Sequence, residues 1–218
     1  MGRQAQAAKM VAIRIIDVEK VIQRRPILRA VNLDVPDRAI SVLVGPTGSG
    51  KTTLLRIVAG LDSADTGRVL WDDRDVTSWP AHRRRVGMAF QSAPVFPSRS
   101  VRWNLSFPLR FSRPAVKALR QEERVEEVAR LLDLGDDLDR TAGSLSGGEQ
   151  RRVSLGRALV AASDVLLLDE PLAHLDAASR RRFQTAFRSW QRRRGITCLY
   201  VTHDGEEALA AADHVAVM

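Results

Sequence analysis

The sequence predicts an α/β fold with a parallel sheet, in which strand-rich ends bracket a helical insert. Three continuous apolar runs, at 39–44, 165–168 and 197–201, are typical of strands buried on both faces. Over 115–134 the apolar residues recur on one helical face, with Glu126 four residues before an arginine. A helix is therefore expected between the first and second of these strands.

The segments around these elements are less regular. We expect short strands over 11–44 with a turn around 24–26, and a further strand and connector over 68–90. Four prolines fall within 92–114, so this stretch is expected to be broken up.

The composition fits one globular domain and excludes several other classes. At 218 residues the chain can form one substantial core. Its 44% hydrophobic and 28% charged residues are typical of globular proteins. No stretch approaches the ~20 apolar residues of a membrane span. The N-terminus lacks the apolar segment of a secretory signal, and the single Cys198 cannot form an intrachain disulfide. These features indicate the cytosol.

The net charge is +8 and the isoelectric point about 10.8, mostly from arginine. Arginine triplets lie at 83–85, 180–182 and 192–194. They could bind nucleic acid, bind anionic lipid or a membrane partner, or be solvated on exposed helix faces. We favour the last interpretation, because Phe183, Phe187 and Trp190 give the expected helix 177–193 an apolar face and leave its arginines elsewhere.

Residues 45–52 read GPTGSGKT and lie between a predicted strand and a predicted helix. The three glycines allow backbone conformations and close anion approaches that a Cβ would prevent. The loop N–H groups and the helix N-terminus can then bind phosphates. Lys51 can reach the outer phosphates, and the Thr52 hydroxyl can bind magnesium. A plain glycine-rich turn needs neither side chain, so we predict nucleoside triphosphate binding.

Asp169 and Glu170 follow the apolar run 165–168. Two carboxylates at the end of a buried strand are costly unless positive charge is near. In P-loop enzymes an acidic residue at this position helps to hold magnesium, and a neighbouring carboxylate can polarise the attacking water. An ordinary acidic turn is the alternative, and the phosphate loop makes it the weaker one.

Residues 145–149 read LSGGE and precede an apolar helical pattern. Ser146 and Glu149 have the spacing of a capping box. The two glycines leave backbone N–H groups at the helix start open to an anion. Taken alone, the stretch is equally well explained as a simple capped helix.

With GPTGSGKT, LSGGE and VLLLDEP in this order, the chain closely resembles the ATP-binding subunit of an ABC transporter over nearly all of its length. Gln91 matches the Q-loop of that family, 172–176 (LAHLD) its D-loop, and 200–204 (YVTHD) its switch-histidine region. The stretch after Gln91 is similar to the type I importer branch, in which small solutes are taken up with a separate binding protein.

This resemblance implies a P-loop NTPase core of the ABC type, with a mainly parallel sheet and an N-terminal antiparallel β-subdomain. The core would comprise 11–90 and 160–218, and a helical subdomain would occupy about 92–158. Residues 1–218 would form a single ABC ATP-binding domain, without a C-terminal regulatory domain in this chain.

The resemblance also implies ATP as the nucleotide, Mg²⁺ as the metal ion, and a role for each motif residue. The residues that cradle the ATP phosphates would be Gly45, Pro46, Thr47, Gly48, Ser49, Gly50, Lys51, Thr52 and Thr53. The residues around Mg²⁺, directly or through water, would be Thr52, Gln91 and Asp169. Glu170 would be the general base and His203 would contact the γ-phosphate; Lys51 and Gln91 complete the implied catalytic set.

The implied working unit is a homodimer or heterodimer of ATP-binding subunits. Ser146, Gly147 and Gly148 would contact the ATP bound to the opposite copy, and Asp176 would lie near the seam. The helical insert would receive the coupling helices of transmembrane permease subunits, and a solute-binding protein would act indirectly. The protein would be peripheral, on the cytoplasmic face of the inner membrane, with no nucleic acid expected.

Three other interpretations remain open. An exporter ATPase subunit would more often be fused to a membrane domain. A soluble ABC ATPase acting on nucleic acid or the ribosome would suit the arginine content, but a coiled-coil insert and a second nucleotide-binding domain are not evident. A regulator that does not hydrolyse ATP would not need an intact Lys51, Asp169, Glu170 and His203. The resemblance implies that other chains, the binding protein and the transmembrane subunits, set the transported solute.

Three features depart from the family pattern. Ile22 occupies the position where an aromatic residue usually stacks on adenine, so we expect weak ATP binding with little preference over GTP. Glu149 replaces the more usual glutamine, and we expect it to turn back to its own helix start. The sequence stops at Met218, soon after the switch-histidine region, so we expect either a short protein or a truncated sequence.

Overall fold

The structure, a computed structural model, describes residues 12–90, 94–111, 118–161, 164–173 and 175–218. Within these ranges the strands are β1 (Ile13–Ile22), β2 (Arg25–Val35), β3 (Ile40–Val44), β4 (Thr66–Trp71), β5 (Arg74–Asp75), β6 (Val86–Ala89), β7 (Val165–Asp169), β8 (Thr197–Thr202) and β9 (His214–Val217). The α-helices are α1 (Lys51–Ala59), α2 (Ala81–Arg84), α3 (Val101–Ser106), α4 (Ala118–Leu131), α5 (Gly147–Ala161), α6 (Ala177–Arg194) and α7 (Gly205–Ala211). The strands form two sheets, so the predicted α/β fold class is confirmed.

An antiparallel sheet in the order β2-β1-β4-β5 covers one side of the core. β1 and β2 are 10 and 11 residues long, so the expectation of short strands was wrong here. The turn between them lies at Gln23 and Arg24, with φ of 50° and 64°, slightly before the predicted position. Left-handed backbone at both turn residues is what a type I′ two-residue hairpin turn requires. The inward residues of β1 pack in the same core as α1.

The parallel sheet has the order β6-β7-β8-β3-β9. The three apolar runs form β3, β7 and β8, as predicted. In β7, Val165 and Leu167 belong to the core beneath one face of the sheet, whereas Leu166 and Leu168 belong to the core beneath the other. Burial on both faces explains why this strand reads as a continuous apolar run. β9, which was not predicted, pairs with β3.

The helical region contains more regular structure than its prolines indicated. α3 begins after Ser100, whose side chain accepts a hydrogen bond from the Trp103 N–H at 3.1 Å. A 3₁₀ turn, Phe107–Phe111, continues it. The expectation that all of 92–114 is broken up was therefore wrong for this part. In the described ranges, no helix has the length and apolar character needed to cross a membrane.

The first arginine triplet is not uniformly solvated, and our interpretation was wrong for Arg84. This side chain is 1% exposed. Its guanidinium donates to the backbone oxygens of Ile57 and Val58 at 2.8 and 2.9 Å, in the last turn of α1. It also donates to the oxygens of Trp79 and Thr77, each at 2.8 Å. Burial lowers the pKa of Arg84 to about 10, which still leaves it charged at neutral pH.

Replacing Arg84 by Met is expected to lower the free energy of unfolding by about 3 kcal/mol or more, because several buried carbonyls lose their donor. Denaturant unfolding with linear extrapolation measures this. Arg83→Met is the matched control, since Arg83 is exposed, and it should cost no more than about 0.5 kcal/mol. Equal effects of the two substitutions would show that the Arg84 hydrogen bonds do not stabilise the fold.

Many arginines of the other triplets form ion pairs. Arg180 pairs with Asp204 at 2.8 Å, and Arg192 approaches Asp213 at 3.5 Å. Arg193 and Arg194 both contact Glu127 of α4. These contacts use much of the positive charge of α6 within the chain itself.

Candidate functional site

The phosphate loop connects the carboxyl end of β3 to α1. Gly48 and Gly50 have φ of 84° and 102°, in the left-handed region that glycine tolerates best. A Cβ on Gly50 would lie 2.8 Å from Leu28 Cδ2 and 3.0 Å from the Ile27 oxygen. Gly50 is therefore required both by its backbone conformation and by the close approach of β2.

The start of α1 has the properties of an anion site. It has no acidic residue in its first turn and no side-chain cap. The N–H groups of 51–53 precede the first hydrogen bond of the helix, from Leu54 N to Gly50 O at 2.9 Å. Among the described residues, the buried Ser49 hydroxyl has no hydrogen-bond partner. A bound phosphate would satisfy these donors.

Lys51 is held beneath the loop. It is 5% exposed, and its Nζ donates to the backbone oxygens of Gly45 and Pro46, each at 2.8 Å. A lysine ammonium has three donors, so one remains for a phosphate oxygen. The loop therefore places a buried positive charge next to the anion site.

Thr52 and Asp169 meet beside the loop. The Thr52 hydroxyl donates to Asp169 Oδ1 at 3.0 Å, and Asp169 is 3% exposed. Burial raises the pKa of Asp169, and the negative charge of Glu170 raises it further. The hydrogen bond from Thr52 and the positive charge of Lys51 lower the same pKa and so offset part of the rise. A hydroxyl and a buried carboxylate are hard oxygen ligands, so their chemistry fits Mg²⁺.

Glu170 and His203 face each other at the ends of β7 and β8. Pairing of Asp169 with Val201 brings these strand ends into register, and the Glu170 N–H donates to the Val201 oxygen at 3.0 Å. Glu170 Oε1 lies 3.0 Å from His203 Nδ1. The φ of Glu170 is 45°, a strained conformation for a residue with a Cβ. The sheet edge therefore brings together Lys51, Thr52, Asp169, Glu170 and His203.

The turn before α5 forms the predicted capping box. The Ser146 N–H donates to Glu149 Oε2 at 2.7 Å, and the Glu149 N–H donates to Ser146 Oγ at 3.3 Å. The hydrogen bond from the Ser146 backbone N–H is the largest cause that lowers the pKa of Glu149, and the Ser146 hydroxyl lowers this pKa by a smaller amount. α5 packs on α3, α4 and β6, so 146–148 lie in the helical region rather than in the cluster at the sheet edge.

The motif resemblance implies ATP hydrolysis, and on that expectation Glu149→Gln should change the hydrolysis rate by no more than roughly twofold, because glutamine also completes a capping box. Steady-state hydrolysis at saturating ATP measures the effect. Loss of most activity would instead mean that the Glu149 charge acts directly on the nucleotide.

Comparison with known proteins agrees with this geometry. The family model described as ABC transporter matches residues 28–173, which include the phosphate loop, the Ser146 turn and the two carboxylates. The chain belongs to this family. The resemblance inferred from the motifs is thus confirmed, as is the ABC-type fold class.

Several curated ABC proteins are similar in sequence. The spermidine/putrescine import ATP-binding protein of Vibrio cholerae is 42% identical over 94% of this chain and 54% of its own length. The diacetylchitobiose uptake ATP-binding protein of Streptomyces coelicolor is 44% identical over 89% of this chain and 51% of its own. The sulfate/thiosulfate import ATP-binding protein of Caulobacter vibrioides is 44% identical over 94% of this chain and 61% of its own length. The chain spans about half of the length of these relatives.

Solved ABC cassettes share the fold. The dimeric structure of a bacterial ABC transporter cassette has a TM-score of 0.84 at 27% identity and covers 94% of both chains. A nucleotide-free ATP-binding cassette from an ABC transporter has a TM-score of 0.79 at 27% identity, covering 96% of this chain and 88% of the other.

The other predicted positions of the ABC pattern lie away from this cluster or outside the described ranges. Asp176 caps α6, where its side chain accepts a hydrogen bond from the Ser179 N–H at 3.0 Å. Ile22 lies at the end of β1 and is 43% exposed. Gln91 lies outside the described residues, so its predicted place beside the magnesium site stays a prediction.

Sequence reasoning missed two contacts at the site. The Thr202 backbone oxygen accepts a hydrogen bond from the Gly45 N–H at 3.3 Å, which ties the end of β8 to the phosphate loop. Glu207, on α7, is 4% exposed and accepts a hydrogen bond from the Thr202 hydroxyl at 3.1 Å. Asp204 and Glu207 have capping-box spacing, which could have indicated the start of α7 but not that Glu207 turns toward β8.

Proposed function

We propose that the chain is the ATP-hydrolysing subunit of an ABC importer, and that ATP closes a dimer which hydrolysis then opens. The observation that supports this most is the cluster at the carboxyl edge of the parallel sheet, where the phosphate loop, Asp169, Glu170 and His203 adjoin. Ligands of open parallel sheets bind at this edge. Membership of the ABC family supports ATP as the nucleotide.

The phosphate loop would bind the outer phosphates of ATP. Residues 45–53 supply backbone N–H groups, and the Lys51 ammonium supplies a donor and a buried charge. Thr52 and Asp169 would hold Mg²⁺, with Gln91 nearby, and the ion would neutralise charge that develops on the transferred phosphoryl group. Hydrogen bonds already hold Lys51, Thr52 and Asp169 in place without a substrate, and such preorganisation is how sites of this kind stabilise a transition state.

Glu170 would act as the general base. Its carboxylate accepts a proton from the attacking water while that water bonds to the γ-phosphorus. His203, 3.0 Å from Glu170 Oε1, would orient this carboxylate and contact the γ-phosphate. The leaving ADP keeps the electron pair of the broken bond and remains on the phosphate loop.

The second half of the site would come from another copy. The α5 start exposes the N–H groups of Gly147 and Gly148, and a Cβ on either glycine would meet nothing within 4 Å in one copy. Such an open helix start can bind the γ-phosphate held by a partner. A related cassette has been solved as a dimer, which supports this arrangement. Asp176 would then lie near the seam.

The surface for the permease would be a group of aromatic rings on the helical region, which we call the aromatic patch: Phe96, Trp103, Phe107 and Phe111. Neighbouring rings lie 4.9–5.3 Å apart. Phe111 is 72% exposed, and Phe96 is 37% exposed. Arg99 and Arg110 lie over the Trp103 ring, and Arg157 lies over the Phe96 ring. An exposed aromatic group with arginines beside it is typical of a protein interface.

The transported solute stays open. The similar importer subunits are named for spermidine/putrescine, diacetylchitobiose and sulfate/thiosulfate. Because these relatives are about twice as long, uptake, permease partners and a peripheral position on the cytoplasmic face of the inner membrane are all part of the proposal. So is the division into a single ABC domain with a helical subdomain at about 92–158.

An ATP-dependent dimer is the direct test of the proposed cycle. Glu170→Gln protein should be a monomer without nucleotide and a dimer with ATP and Mg²⁺, measured by light scattering after gel filtration. Adding Gly147→Arg should prevent the dimer without unfolding the chain, because the site of the new Cβ is empty. Gly135→Arg, on an exposed turn whose Cβ position is also empty, is the matched control. A protein that stays monomeric at saturating ATP would contradict the proposal.

A further inference from the structure

A buried carboxyl group at the start of α7 has no role in the mechanism above. Glu207 is 4% exposed, and one of its oxygens, Oε2, accepts a hydrogen bond from the Thr202 hydroxyl at 3.1 Å. Among the described residues, its other oxygen, Oε1, is buried without a hydrogen-bond partner. A half-satisfied buried carboxyl destabilises a fold, so its presence calls for a functional explanation.

Thr202 is a junction between the catalytic elements. Its backbone oxygen accepts from the Gly45 N–H of the phosphate loop at 3.3 Å. Its hydroxyl donates to Glu207 and accepts from the Asp204 N–H at 3.1 Å. His203 lies between Thr202 and Asp204 in the chain, and its Nδ1 is 3.0 Å from Glu170 Oε1. The direction of the Thr202 hydroxyl therefore bears on the placement of His203.

We propose that Glu207 is a positioning residue, whose carboxylate holds the Thr202 hydroxyl as a donor and thereby fixes 202–204 with His203 against Glu170. This inference rests on the proposed ATP hydrolysis. An ionised carboxylate can only accept, so the Thr202 hydroxyl must donate to it and keeps a lone pair for the Asp204 N–H. A protonated Glu207 can donate instead, and the Thr202 proton then loses its acceptor.

Several charged groups surround this carboxyl. Burial raises the pKa of Glu207 to about 7; Arg180 of α6 opposes the shift and Glu170 adds to it. Asp204 accepts from the Glu207 N–H at 3.0 Å and pairs with the same arginine. The exchange between the two hydrogen-bond patterns should thus fall near neutral pH.

The test compares kcat for ATP hydrolysis between pH 6 and pH 8.5 in wild type and Glu207→Gln. His203 and Glu170 are present in both proteins, so the ratio of the two kcat values isolates Glu207. We expect the wild-type kcat, relative to the variant, to fall by about threefold or more as the pH drops through 7, with KM for ATP unchanged. Glu206→Gln, an exposed neighbour, is the matched control and should show a constant ratio.

A double-mutant cycle separates positioning from a general structural role. In a Thr202→Val background, Glu207→Gln should have no further effect on the pH profile, because the hydroxyl that transmits it is gone. A ratio that does not vary with pH, or an unchanged effect of Glu207→Gln when Thr202→Val is also present, would overturn the inference. Wild-type activity no greater than that of Glu170→Gln would instead mean that the proposed function fails.

Thermal unfolding gives an independent reading. Since the folded protein holds the Glu207 proton up to about pH 7 and the unfolded chain releases it near its ordinary value of about 4.3, this group makes stability fall as the pH rises between the two values. Glu207→Gln should remove that fall. The melting temperature of the variant minus that of wild type should therefore increase from pH 4.5 to pH 7 and remain constant above pH 7. A difference that is constant with pH would contradict the assignment.

Discussion

Replacing Glu170 by Gln is expected to lower kcat for ATP hydrolysis at least about a hundredfold, with the affinity for ATP little changed. Glutamine keeps the shape of the side chain and can still meet His203, from which Glu170 Oε1 is 3.0 Å away. It cannot accept a proton from water. The loss should therefore appear in kcat rather than in KM.

Steady-state phosphate release measures the loss, and nucleotide titration measures binding. Glu206→Gln makes the same chemical change on an exposed position and should retain wild-type activity. If Glu170→Gln kept more than about a tenth of the wild-type rate, a different group would have to be the base.

Replacing Lys51 by Met is expected to raise the Kd for ATP by about 10- to 100-fold, because hydrogen bonds to charged groups contribute about 1.5–3 kcal/mol. Lys51 is buried and is held beneath the loop by the Gly45 and Pro46 oxygens. Methionine fills a similar volume without the charge. Titration with ATP gives the Kd.

Lys20→Met is the matched control, since Lys20 is the other lysine in the described ranges. Lys20 belongs to β1 of the antiparallel sheet and forms an ion pair with Asp65. Its Kd should stay close to that of wild type. Equal weakening by both substitutions would indicate a loss of overall positive charge rather than of a phosphate contact.

The parallel sheet and the motif cluster were accessible from the sequence because local signals specify them. β7 alternates between two cores, so every residue of 165–168 is apolar. The phosphate loop needs glycine for its positive φ values and for the close approach of Leu28. In β7 the requirement is burial on both faces, and in the loop it is a backbone that only glycine adopts easily. Each requirement acts on neighbouring residues, so it leaves a recognisable pattern in the sequence.

Features that depend on distant contacts were missed. β9 is a short strand whose place is set by pairing with β3, and α3 forms despite the prolines around it. Arg84 is buried because its guanidinium meets the carbonyls that end α1, and Glu207 is buried because α7 turns toward Thr202. Nothing in the local sequence distinguishes such residues from their exposed neighbours.

Capture of partners from the native cell is the most direct test of the importer assignment. Tagged Glu170→Gln protein, extracted in detergent with ATP and Mg²⁺, should bring down polytopic membrane proteins that mass spectrometry can identify. Adding Phe111→Asp, which places a charge on the most exposed ring of the aromatic patch, should remove them. Ribosomal proteins or nucleic acid without any membrane subunit would contradict the importer assignment.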